Sequence, residues 1–228
     1  MSTSASTNGR TKRAMVLVAH ADDETLGCGG TLAKLVKGGG WEVDVLILGD
    51  GIVRARGREQ DNRGDAARAC EVLGVAPPRF LGFPDQKFDA VPMAELANAV
   101  GELGLQPDLI LTHADTDLNR DHRLTLEVAK IVGRPRAKPV TILGCEIPST
   151  TFWNGTQFPG TYFVDITEEL DTKIDAFSRY ANEMQPYPHP WSREGLRLLA
   201  QYHGMQCGFG YAEAFTVIRG YEGRMPVS

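Results

Sequence analysis

The 228-residue chain has little cysteine, and its four cysteines, Cys28, Cys70, Cys145 and Cys207, stand far apart. None forms a CxxC pair, which excludes a zinc ribbon and a dithiol redox motif. Scattered thiols in a chain of this size do not make a disulfide framework; they imply reduced cysteines and a cytoplasmic location. Long apolar runs are also missing. Residues 15–19 are too few for a signal-peptide core, and no later stretch approaches the ~18 residues of a membrane span. There is no basic excess: 24 Lys and Arg stand against 29 Asp and Glu, a net charge of −5. Nothing general attracts a phosphate backbone, so no nucleic-acid partner is expected. Internal repeats are absent. The opening residues are small and polar, so residues 1–13 are expected to be a disordered tail and 14–228 a single domain.

What is present is an ordinary globular composition, 42% apolar and 23% charged, with short apolar runs alternating with amphipathic stretches. Strands are predicted over 14–19, 41–48, 79–83, 108–112, 141–147 and 162–166. Helices are predicted over 25–37, 59–73, 93–105, 122–132, 168–183 and 193–203. This alternation predicts an α/β fold, a Rossmann-like three-layer sandwich with a mostly parallel sheet and helices on both faces. In such a sheet, ligands bind beyond the carboxyl ends of the strands. Two of those places are dense in metal-capable side chains.

The first strand runs into His20-Ala21-Asp22-Asp23-Glu24. An Asp here could simply cap the following helix. Capping does not account for a histidine with two adjacent Asp at the end of a buried strand, whose mutual repulsion a cation would relieve. His20 and Asp23 could hold a metal from two sides of the turn, leaving Asp22 to act as a base on a water. The fourth strand runs into a loop with His113, Asp115, Asp117, Asn119, Asp121 and His122. Its plain alternative is a solvated loop, with Asp121 capping the helix that starts near His122. If the first and fourth strands are neighbours, the two loops face one crevice. His20, Asp23 and His122 then make a two-imidazole, one-carboxylate site, the ligand set of a hydrolytic zinc centre with an open position. Fe2+ or Co2+ would suit similar ligands.

These segments carry a resemblance. His20-Ala21-Asp22-Asp23-Glu24 resembles the AHPDDE signature of the PIG-L/LmbE-like zinc-dependent N-deacetylases, and Asn119-Arg120-Asp121-His122-Arg123 resembles that family's second motif, usually HxDH. The resemblance implies zinc ligands at His20, Asp23 and His122, a general base at Asp22, and removal of an acetyl group from an amino sugar or its conjugate. Ala21 departs from the usual proline without removing a ligand. Asn119 stands where many members carry a histidine; it can donate a hydrogen bond to an oxyanion but cannot supply a proton.

A proton donor is then sought elsewhere, either in protonated Asp22 or in His189 of the Tyr187-Pro188-His189-Pro190 loop. His113 and Asp121 are expected to support the ligands from behind. Substrate contacts are expected from Arg63, within the Arg54, Arg56, Arg58 and Arg63 group, from Glu146 and Trp153 after the fifth strand, and from Glu213. The expected partner is a small N-acetylated sugar-type substrate, and the chain is expected to form a homo-oligomer. Three other readings remain open. The Gly27-Cys28-Gly29-Gly30 run could belong to a dinucleotide site, although it is neither GxGxxG nor a P-loop. The domain could bind metal in a regulatory or interaction role without turnover. Or the same chemistry could remove a formyl group.

Overall fold

The computed structural model describes residues 11–55, 58–135 and 138–221; of the tail expected over 1–13, residues 1–10 lie outside the described residues, as does Arg56, while Lys12 and Arg13 belong to the first strand and not to a tail. In chain order the strands are β1 (Lys12–Val18), β2 (Trp41–Gly49), β3 (Ile52–Ala55), β4 (Arg58–Asp61), β5 (Arg79–Phe83), β6 (Leu109–His113), β7 (Thr141–Cys145), β8 (Tyr162–Asp165) and β9 (Ala212–Arg219). The α-helices are α1 (Asp23–Gly38), α2 (Arg63–Leu73), α3 (Met93–Gly101), α4 (Arg120–Val132), α5 (Leu170–Phe177) and α6 (Arg193–Cys207).

Seven strands form one sheet in the order β5-β2-β1-β6-β7-β9-β8, and β3 and β4 form a separate hairpin. From β5 to β7 every pairing is parallel, and β9 runs antiparallel to both of its neighbours. The inner strands are covered on both faces, which is why their sequences are continuous apolar runs. Successive residues of β1 serve opposite cores. Val16 and Val18 pack with Val45 and Ile47 beside residues of α1, α2 and α5. Met15 and Leu17 pack with Leu46 and Leu48 beside residues of α3 and α4. The result is the three-layer α/β sandwich. Beyond β1 the chain first adds β2 and β5 on one side, then returns to add β6 and β7 on the other. The crevice of the sheet therefore opens between the carboxyl ends of β1 and β6.

Helix α3 stops four residues short of the expected end, α6 runs four residues beyond it, and the β3–β4 hairpin was not expected; three further differences bear on the core. Helix α2 starts at Arg63, not at 59, because Arg58–Asp61 pairs with Ile52–Ala55. Its buried residues, Ala66, Ala69, Cys70 and Leu73, follow helical spacing only from that point. Helix α5 ends at Phe177, and the next residues make tight turns that carry Tyr180 into the core. Strand β9 was not anticipated: its first half is buried and its second half half-exposed, so it shows neither a clean alternation nor a continuous apolar run.

The glycine-rich run lies inside α1, where it serves packing against the sheet. A Cβ on Gly27 would collide with the Cys145 side chain, and one on Gly30 with Ile166. The helix is kinked at Cys28. In an unbroken helix the Gly30 N–H would donate to the Leu26 carbonyl. Here the Gly30 and Thr31 N–H groups donate to the Glu213 carboxylate at 2.9 and 2.7 Å. The Leu26 carbonyl accepts from Lys173 Nζ at 2.8 Å. Lys173 and Glu213 meet at 2.5 Å, so one buried ion pair satisfies both sides of the kink. Removing one partner of such a pair leaves an uncompensated buried charge. Lys173→Met is expected to lower unfolding stability by about 3–5 kcal/mol, with partial recovery in Lys173→Met/Glu213→Gln, as measured by urea denaturation.

Candidate metal centre

The parallel pairing of β1 with β6 puts the two motif loops side by side. His20 follows β1, Asp23 opens α1, and His122 sits in the first turn of α4. His20 Nδ1 lies 3.2 Å from His122 Nε2. Asp23 Oδ2 lies 3.6 Å from His20 Nδ1 and 3.4 Å from His122 Nε2. Tetrahedral ligands at bond lengths of about 2.0–2.1 Å stand about 3.3–3.4 Å apart, so the three atoms have the mutual spacing of a zinc seat.

The atoms behind them fit a metal as well. His122 Nδ1 is 2.9 Å from Asp117 Oδ2, which directs Nε2 toward the centre. His20 Nε2 lies 3.0 Å from Asp85 Oδ1 and 3.2 Å from Asp121 Oδ2. Each imidazole thus has a carboxylate on its outer nitrogen, the arrangement that fixes ring orientation in metal sites. These carboxylates are themselves held: Asp121 accepts from the Phe88 N–H at 3.1 Å, and Asp117 accepts from the Thr150 hydroxyl at 2.9 Å. Asp23 accepts from the His20 N–H at 2.8 Å.

Burial pushes the Asp23 carboxyl up to about 7, against the pull of His20. Burial holds His122 and His113 well below the ordinary imidazole range, so both rings stay neutral with lone pairs available. Burial opposes charge on His20 too, but its contacts with Asp121 and Asp85 outweigh this and raise its pKa. Two facing lone pairs would repel, so a proton lies in the contact between His20 Nδ1 and His122 Nε2. A cation bound there would take the place of that proton.

His113 is buried with its Nε2 accepting from the Ala19 N–H at 2.9 Å, so that nitrogen is already used. Its ring stacks on His122 at a centroid distance of 4.0 Å. It shapes the seat without offering its Nε2 lone pair to it.

Asp22 sits between His20 and Asp23 in the loop after β1, at φ 118, a left-handed conformation that costs of order 1–3 kcal/mol in a residue other than glycine. Among the described residues its carboxylate has no hydrogen-bond partner. Burial, with Asp23, Glu183 and Glu24 nearby, raises its pKa well above the usual range. The strained backbone is held by Glu24, which is fully buried. Glu24 Oε2 accepts from the Asp22 N–H at 3.1 Å, and Oε1 accepts from the Tyr180 hydroxyl at 2.6 Å.

The remaining expected residues are dispersed. Asn119 caps α4: its Oδ1 accepts from the Asp121 N–H at 2.9 Å. The cap is thus Asn119 and not Asp121, which the plain alternative for this loop had as the cap, and Asp121 faces His20. His189 lies in the proline loop with Nδ1 accepting from the Trp191 N–H at 3.1 Å, and burial lowers its pKa. Arg63 forms a two-pronged pair with Asp61 at 2.9 and 2.6 Å, on exposed side chains. Trp153 and Glu146 line a separate cavity beyond β7. The substrate contact expected of Glu213 does not fit its geometry, because both of its oxygens are engaged in the α1 kink. Sequence reasoning missed Asp85, although it lies just past the carboxyl end of β5 at the same sheet edge. It also missed the Glu24–Tyr180 bond, which spans a long stretch of chain and has no local signal.

The profile of the PIG-L family, described as GlcNAc-PI de-N-acetylase, matches residues 15–132. Diacetylchitobiose deacetylase from Thermococcus kodakarensis is 25% identical to the chain, over 92% of this chain and 84% of its own. The crystal structure of the conserved protein TT1542 from Thermus thermophilus superposes with a TM-score of 0.72 at 25% identity, covering 94% of this chain and 98% of that one. GalB from Pseudomonas putida, a 4-carboxy-2-hydroxymuconate hydratase, superposes at 0.69 with 22% identity, covering 95% and 100%. That last likeness shows the fold alone, and it warns that the fold by itself does not name a reaction. The profile match takes in both motif loops and more than half of the chain, and on that ground the chain belongs to the PIG-L family.

Proposed function

We propose that this protein is a zinc-dependent hydrolase that removes an N-acetyl group from an amino sugar or its conjugate. The observation that carries the reading is the spacing of His20 Nδ1, Asp23 Oδ2 and His122 Nε2, with a carboxylate behind each imidazole. Family membership and the similarity to a diacetylchitobiose deacetylase support an N-acetylated sugar as substrate. His20, Asp23 and His122 would hold the zinc, which when bound supplies Lewis-acid chemistry toward the amide carbonyl and makes a water more acidic.

The chain's own groups handle the protons. Asp22 takes the proton of the attacking water. Its carboxylate has no hydrogen bond among the described residues, and its raised pKa makes it a stronger base than an exposed Asp. The same raised pKa lets Asp22 return that proton to the leaving nitrogen, a step that Asn119 cannot perform. The Asn119 Oδ1 is occupied by its cap, which leaves the amide NH2 to donate toward the oxyanion. Glu24 and Tyr180 keep Asp22 in its strained position. His113 packs under His122 and limits its rotation. The free cysteines and the lack, among the described residues, of any helix long and apolar enough to cross a membrane are compatible with a cytoplasmic enzyme.

Zinc content and hydrolysis of N-acetylated sugars test the reading together. Asp22→Asn is expected to keep zinc and lose about 10²–10⁴-fold in kcat, whereas His122→Ala loses the zinc itself. An Asp22→Asn protein with wild-type turnover would exclude Asp22 as the base. Tyr180→Phe is expected to cost about 1–3 kcal/mol in stability and to lower kcat with little change in KM and zinc content, because it loosens Asp22 and not the ligands. Steady-state kinetics beside metal analysis of the same preparation checks this.

A further inference from the structure

Between α6 and the segment that follows β7 lies a cavity of about 630 Å³, within the usual range of small-molecule sites. Among the described residues, none that lines it belongs to the metal centre. Trp153, Tyr187 and Tyr202 stand in its wall, each roughly half exposed. Its floor is polar. Glu146 Oε2 lies 2.7 Å from His203 Nε2, and the two side chains are only 8% and 7% exposed. The Tyr202 and Phe158 rings flank His203 at centroid distances of 5.4 and 6.4 Å.

The floor holds an acid without a cation. The Gln206 amide donates to His203 Nδ1 at 3.0 Å, so His203 is neutral and donates from Nε2 to Glu146. The other oxygen of Glu146 has only a long contact, 3.5 Å, from the Thr151 hydroxyl. Among the described residues that line the cavity there is no Lys and no Arg. Lys173 shares a second, small pocket with Glu146 and His203. Its ammonium is already taken, by Glu213 at 2.5 Å and by the Leu26 carbonyl at 2.8 Å.

We propose that this cavity is a binding site for an organic ammonium ion, a molecule with a protonated primary amine beside an apolar body. A carboxylate taken out of water is compensated by a cation with N–H donors, and the lining supplies none. The aromatic wall favours the same ligand, because ring faces attract a positive charge within about 6 Å. A neutral alcohol would give Glu146 a hydrogen bond but leave its charge uncompensated. An anion would meet repulsion from Glu146 and from the ring faces. The site stands apart from the metal centre, so the inference does not depend on the deacetylase reading.

Calorimetry on the zinc-supplemented full chain tests this with 2-phenylethylamine, its neutral counterpart 2-phenylethanol and the anion 3-phenylpropanoate. Wild type is expected to bind the amine about tenfold or more tightly than the alcohol, the gain of a hydrogen bond between charged groups, and to bind the anion most weakly. Glu146→Gln should remove the advantage of the amine and keep binding of the alcohol. Trp153→Ala, at an exposed position, should weaken the amine by about threefold or more. Asp22→Asn, which alters the acidic crevice at the metal centre and not the cavity, should leave the amine affinity unchanged. An amine bound no more tightly than the alcohol, an advantage that survives Glu146→Gln, or amine binding lost in Asp22→Asn overturns the proposal. Thermal unfolding reports whether each variant is folded. If Glu146→Gln is not, Trp153→Ala decides, and an unchanged amine affinity in that variant overturns the site.

Discussion

The parallel pairing of β1 with β6 is the constraint on which the site depends. In the register Ala14↔Leu109 to Val16↔Leu111, the two strands end together and deliver their loops to one point. No residue of either loop could make the centre alone. The first loop has one imidazole and a row of acids, and the second has the imidazole that completes the set. The apolar core on both faces of the sheet fixes this register, because a slip by one residue would turn Val16 and Val18 toward the wrong helices. Core packing and metal spacing are thus two consequences of one pairing.

The electrostatics follow from that convergence. Asp22, Asp23, Glu24, Asp117 and Asp121 are all buried within or behind the crevice. Burial raises the pKa of such carboxylates first, and neighbouring acids add to it: Asp23 is pushed up to about 7 by burial, with smaller pushes from Asp117 and Glu24. Three neutralising arrangements share the load. Imidazoles stand between carboxylates, the backbone N–H groups of Phe88 and His20 donate to Asp121 and Asp23, and the Tyr180 hydroxyl covers Glu24. Asp22 is left outside all of them, with a strained backbone and a carboxylate that no donor among the described residues satisfies. Strain beside an unsatisfied acid is the pattern that supports the role proposed for Asp22.

The sequence disclosed a good part of this and hid the rest for physical reasons. Continuous apolar runs revealed the inner strands, and the rule that ligands gather at carboxyl ends of parallel strands pointed to both loops. Asp85 obeys the same rule but stands alone after Phe83-Pro84, so nothing in its neighbourhood singled it out. Glu213 reads as a substrate contact through its place in the Ala212-Glu213-Ala214-Phe215 segment, which resembles the family. Its true partners, Gly30, Thr31 and Lys173, appear only once the kink in α1 and the antiparallel β9 are seen. Asn119 read as an altered catalytic residue, and in the fold it also caps α4, a role that one side-chain oxygen fills without using the amide nitrogen.

The central claim is that two imidazoles and one carboxylate, and no thiolate, form a metal seat. X-ray absorption at the zinc edge of the zinc-loaded chain tests it most directly. The account predicts one zinc per chain with nitrogen and oxygen neighbours at about 2.0–2.1 Å, and an outer shell of imidazole carbons. A neighbour at about 2.3 Å, the signature of a cysteine sulfur such as buried Cys28 or Cys145, would contradict it. So would the absence of stoichiometric zinc.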